Sequence, residues 1–210
     1  MNSQSTYIRL ESLTQERKFN KATELAKVAI SSGKDLEFWK TQLAYVSFLN
    51  EENVSDRYVV APTVLTSLVE TNPENANTHF WLGYITYILF GQLGIAKSHL
   101  NRAKEIEPKL FYADLVLAGL SENEDERLNL LETVIRGFPN LYRGLIDVAR
   151  ILIKVNQRDR AKIVLDKLLN SPPYVEKNYG VMNEYMNDVF TGATHQESIR
   201  KEAESEIELL

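Results

Sequence analysis

A chain of 210 residues, 44% of them hydrophobic, is long enough for one compact domain or one short solenoid and too apolar for a disordered chain. Its formal charge of −5 argues against a general nucleic-acid binder, which needs a basic face, and the absence of cysteine excludes disulfides, thiolate metal sites and cysteine nucleophiles. Met1 to Thr6 lack the cationic start and apolar run of an export signal, so a cytoplasmic protein without a membrane anchor is expected.

Apolar residues recur at three- and four-residue intervals almost throughout, and no segment shows the sustained alternation of a half-buried strand. An all-α chain follows. Taken in order, helix breaks fall at Ser31 to Lys34, Asn50 to Asn53, Asn72 to Asn75, Gly91 to Gly94, Glu107-Pro108, Phe138 to Asn140, Asn156-Gln157, Ser171 to Pro173 and Thr191-Gly192. Each carries Gly, Pro, Asn or Ser, the residues that end helices and shape turns. Counting between the breaks predicts about twelve helices with short connectors, a run of antiparallel pairs.

The stretch from Asn50 to Arg57 and the acidic run from Ser121 to Glu126 read as the loosest places. Pro62 would break a helix running from Ser55 to Val69 unless it lies in the first turn, so that helix is expected to start late or kink. The most apolar stretch, Phe80 to Phe90, is interrupted by Gly83 and Thr86 and falls far short of the roughly 20 residues that span a bilayer. The last predicted helices run from Tyr174 to Phe190 and from His195 to Leu210.

One pattern recurs: an alanine, then leucine four residues on, an apolar residue three further, and a proline five after that. It reads Ala61-Leu65-Leu68-Pro73, Ala96-Leu100-Ala103-Pro108 and Ala161-Leu165-Leu168-Pro173, with a fourth copy, Arg127-Leu131-Val134-Pro139, lacking the alanine. The prolines lie 35, 31 and 34 residues apart, a period proper to stacked helix pairs. Small residues let two helices approach closely, and the proline opens the turn to the next pair. One pair cannot bury its own apolar face, so the pairs must stack.

These residues resemble the tetratricopeptide repeat family over most of the chain. Leu82-Gly83 precedes the second motif, Val148-Ala149 precedes the last, and Phe19, Ala22, Ala26 and Ala29 make a weaker N-terminal copy. His79 departs from the family's tryptophan-like position, and Arg127 stands where alanine is usual. The resemblance implies a right-handed α-α superhelix of five helix pairs in one domain, with repeats at 3–34, 35–73, 76–108, 110–139 and 141–173, closed by a C-terminal capping pair at 174–210.

The resemblance also implies that the first helix of each pair lines a concave groove. Phe38, Tyr45, Phe48, Phe80, Trp81, Tyr84, Tyr87 and Tyr112 would form an aromatic partner-binding surface there, joined by Ile88, Leu115 and Val116. Two readings fit the rings: packed core, because aromatic stripes at helical spacing pack interiors, or an open surface for a partner's peptide or amphipathic helix. Arg143, Arg150 and Lys154, followed by Arg158 and Arg160, read as a basic clamp for an acidic portion of the partner or as a solvated face paired with Asp147 and Asp159. Relatives that hold a chaperone's C-terminal carboxylate use Lys, Asn and Arg at positions that here are Thr41, Tyr45, Trp81, Tyr112 and Val116, so that clamp is absent.

His79, His99 and His195 show no metal-ligand spacing, and Gly91 and Gly94 lack the context of a phosphate loop, so no catalytic site, cofactor or metal is expected. The expected role is a non-enzymatic adaptor or assembly factor for a protein partner, as a monomer or complex subunit, without nucleic-acid binding or membrane insertion. A dedicated chaperone for an assembling or secreted client and a permanent structural subunit stand as alternatives.

Overall fold

The computed structural model describes residues 3–172 and 195–210; the predicted helix from Tyr174 to Phe190 lies outside the described residues, as does Pro173 of the last motif. The described residues form eleven α-helices and no strand. They are α1 (Ser3–Gln15), α2 (Phe19–Ser31), α3 (Leu36–Leu49), α4 (Ala61–Thr71), α5 (Ala76–Phe90), α6 (Leu93–Ile106), α7 (Phe111–Leu120), α8 (Glu124–Gly137), α9 (Tyr142–Lys154), α10 (Arg158–Asn170) and α11 (Gln196–Glu208). The chain divides into two compact units, Met1–Leu110 and Phe111–Leu210.

In the first unit α1 to α6 pack in sequence as three pairs. The motif residues explain the packing. Ala61, Leu65 and Leu68 of α4 and Ala96, Leu100 and Ala103 of α6 are all buried, as are Ala22, Ala26 and Ala29 of α2. The closest approach is between α5 and α6 at Gly83. A Cβ there would lie 2.9 Å from the Ala96 carbonyl oxygen and 3.0 Å from Leu100 Cγ, so only glycine fits. Gly91 ends α5 in the left-handed conformation, φ 63°, with its N–H bonded to the Tyr87 carbonyl oxygen at 2.9 Å.

The stretch that reads as loosest is anchored. A π-helical turn, Asp56–Val60, runs straight into α4, which starts at Ala61 with Pro62 in its first turn. The helix is continuous through this point, and the wider turn, closed by the Ala61 N–H on the Asp56 carbonyl oxygen, is where it absorbs the missing proline N–H. The Asn50 amide donates to Asn20 Oδ1 at 2.8 Å and to Asp56 Oδ2 at 3.1 Å, tying the turn to α2.

The second unit holds two pairs, α7 with α8 and α9 with α10, and α11 against α9 and α10. The acidic run is no loose tether. Asn123 caps α8 by accepting from Glu126 N–H at 3.0 Å, and Glu124, Asp125 and Glu126 occupy the first turn, where the helix dipole favours negative charge.

Candidate functional site

The predicted aromatic residues separate into distinct settings. Tyr45, Phe48, Phe80, Trp81 and Tyr84 come together as one ring network between α3 and α5. Tyr45 meets Trp81 edge-on at 5.6 Å between centroids, Phe48 meets Tyr84 at 6.2 Å, and Phe80 stacks nearly parallel on Tyr84 at 6.1 Å. The Arg57 guanidinium lies 5.7 Å from the Phe48 ring centre, a cation–π contact. All five rings are buried, the most accessible, Tyr84, showing 7% of its surface.

Phe38 stands apart at the start of α3, 43% exposed and packed on Tyr7 of α1 at 5.5 Å. Tyr87 is half-buried and Ile88 exposed at the far end of α5. Tyr112 belongs to the second unit, where it is fully buried beside Phe111 at 3.9 Å. Sequence reasoning missed a further pair, Tyr58 and Phe90, which meet at 6.0 Å while each stays more than 40% exposed. Their spacing of 32 residues belongs to no helical period, so only the packing of the π-helical turn on the end of α5 reveals it.

The basic residues of α9 are taken up inside the second unit. Arg150 donates through Nη2 to Glu202 at 2.7 Å and through Nε to Glu206 at 3.3 Å, both on α11, and Lys154 pairs with Glu124 of α8. Arg158 donates to the Leu210 carbonyl oxygen at 3.2 Å, and Arg160 pairs with Glu132. Arg143 remains half-buried beside Asp147. Burial pushes the Asp147 carboxyl above its ordinary range, opposed by the charges of Arg143, Arg127 and Arg150 and reinforced by Glu202. Arg150 thus faces the acidic helix α11, while Lys154 and Arg160 pair with carboxylates of α8.

Two of the three histidines meet across α5 and α6. Their Nδ1 atoms are 3.0 Å apart, and His79 Nε2 lies 3.1 Å from the Pro73 carbonyl oxygen. A carbonyl only accepts, which assigns the His79 proton to Nε2 and makes His99 Nδ1 the donor between the rings. Burial first, and then the charge of His79, pull the His99 pKa below its ordinary value. Among the described residues no group of three or more His, Cys, Asp or Glu could hold a metal ion, and no helix is long and apolar enough to cross a membrane.

No protein-family model matches the sequence, and no curated protein matches it. Solved structures do. Yeast Tom70 superposes with a TM-score of 0.69 at 18% identity over 97% of this chain and 40% of its own, and pilF of Pseudomonas aeruginosa with 0.68 at 15% identity over 95% and 87%. YrrB, described as a TPR protein with an unusual peptide-binding site, gives 0.53 at 20% identity over 78% and 84%. At these identities the likeness establishes the fold alone.

Proposed function

From the tetratricopeptide-repeat fold that this chain adopts, we propose that the protein is a non-enzymatic adaptor or assembly factor of the cytoplasm, which holds a segment of a protein partner against the inner helices of its repeats. The observation that carries this reading is the ring network of Tyr45, Phe48, Phe80, Trp81 and Tyr84, which gathers five large aromatics on two consecutive first-of-pair helices. Aromatic rings supply large contact areas at low rotamer cost, and they dominate the energetics of protein interfaces. The peptide-binding site in the description of YrrB supports the same use of this fold. Because the rings are buried in the free chain, a partner must bind a conformation in which they are uncovered. Its apparent affinity then falls by the fraction of molecules in that state. Phe38 and Tyr87, already accessible, would make the first contacts. The basic stripe of α9 would receive an acidic portion of the partner.

The test is capture from native lysate by the intact protein and by a Trp81→Leu/Tyr84→Leu variant, which removes the rings and keeps much of the apolar volume. Loss of one stoichiometric protein is the expected result, from a variant that keeps its helicity at the capture temperature although the lost buried ring volume lowers its melting temperature. Full retention of that protein by the folded variant would overturn the ring surface as the binding site.

A further inference from the structure

We propose that the face of α9 and α10 now covered by α11 is a docking site for an acidic amphipathic helix of a partner, and that α11 is its built-in competitor. The occupied site displays its own ligand chemistry. Tyr142, Leu145, Ile146 and Ala149 of α9, with Leu165 and Leu168 of α10, form an apolar trough that receives Ile199 and Ala203, with Ile207 along its margin. Arg150 reaches across to two carboxylates one helical turn apart, Glu202 and Glu206. Arg200 closes the near end, donating through Nε and Nη2 to the Tyr142 hydroxyl at 3.1 and 2.8 Å and through Nη2 to the Ser171 carbonyl oxygen at 3.2 Å. The recognised pattern is an apolar residue, carboxylates three and seven positions on, a small residue at four and an apolar residue at eight.

Among the described residues α11 contributes little to the core. Two of its 13 residues are buried, and Leu209 just beyond it is 76% exposed. The His195 side chain does not cap its N-terminus, and no basic residue occupies its last turn. Of its charged i,i+4 pairs, Glu202 with Glu206 and Glu204 with Glu208 oppose helix formation in an isolated segment while Glu197 with Lys201 and Arg200 with Glu204 favour it, and a segment this short is marginal as a helix by itself. Arg150 sits between the first pair and relieves its repulsion, so the helix owes its order to the trough. A helix with the same charge pattern and a fuller apolar stripe satisfies the same groups and gains more burial, which is the condition for displacement.

The inference rests on the reading of the chain as a protein-binding module, but its test needs no captured partner. A fluorescein-labelled peptide of residues 195–210 is titrated against the full-length wild type and a full-length Ile199→Asp variant that dislodges α11. The wild type should bind it at least ten-fold more weakly than the variant. A peptide carrying Glu202→Lys and Glu206→Lys should lose at least ten-fold in affinity and regain it on the Ile199→Asp/Arg150→Glu protein. A folded Ile199→Asp protein that takes up no peptide, or binding indifferent to the charge exchange, would overturn the site. Hydrogen exchange of the wild type decides the matter if that variant does not fold. Amides of α11 exchanging at least ten-fold faster than those of α9 and α10 support a replaceable helix, whereas equal protection makes it a fixed part of the unit and ends the proposal.

Discussion

Gly83 shows how much of this molecule is decided by single side chains. Its α-carbon faces the α6 backbone so closely that the Cβ of an alanine would lie 2.9 Å from the Ala96 carbonyl oxygen. Gly83→Ala must push the two helices apart, and overpacking of this kind costs about 1–3 kcal/mol. A substituted Gly119 meets nothing within 4 Å on an exposed part of α7, so Gly119→Ala should instead be neutral or gain up to about 1 kcal/mol from helix propensity. Urea denaturation of the two variants, moving in opposite directions, checks the close approach; similar midpoints would refute it. The histidine pair yields a second prediction. His99 binds protons less readily in the folded than in the unfolded protein, so its contribution to stability is present above the unfolded value of 6.5 and is lost as pH falls below it. The melting temperature should drop between pH 7.5 and 5.5, and His99→Gln should flatten that slope; an unchanged slope in the variant would remove His99 as its source. Gly83 was legible because Leu82-Gly83 precedes the second motif, at the place that Val148-Ala149 holds before the last. The histidine contact was not, because 20 residues separate the rings and only the α5/α6 register brings them together.

At the scale of the element, two kinds of helix alternate, and their sequences say so. The first-of-pair helices α3, α5 and α7 are apolar on most faces and bury most of their residues, whereas α4, α6 and α10 bury only the alanine–leucine stripe of the motif. The motif therefore made the second helices readable residue by residue. It left the first helices ambiguous, since a helix apolar all round does not declare which face a partner would use. Helix ends were harder still. The run from Ser121 to Glu126 reads as a charged tether until Asn123 is seen accepting from the Glu126 N–H. Asn123→Ala should cost about 1 kcal/mol and Asn123→Gly only a few tenths, the ranking that a side-chain N-cap requires. Denaturation midpoints in which glycine is the more damaging of the two would show that backbone flexibility, and not the cap, governs this turn.

Across the whole molecule, the recurrence of prolines at 31 to 35 residues made the architecture legible, because that period admits stacked helix pairs and little else. The interaction chemistry was less so: Arg143, Arg150 and Lys154 announce a basic stripe, but Glu202 and Glu206, the partners of Arg150, and Glu124, the partner of Lys154, lie on helices that the local pattern does not assign to them. Arrays of this kind bury each helix mainly against its neighbours in sequence, so damage should stay local. Leu165 is fully buried in the cluster that joins α9, α10 and α11, and Leu165→Ala should cost about 2–5 kcal/mol there by leaving a cavity. Hydrogen exchange followed by mass spectrometry should then show faster exchange across those three helices, with α1 and α2 of the first unit keeping wild-type protection. Equal acceleration at both ends of the chain would mean that the molecule opens as one cooperative body, and occupancy of the α9 face would then be felt along the whole array instead of within its own unit.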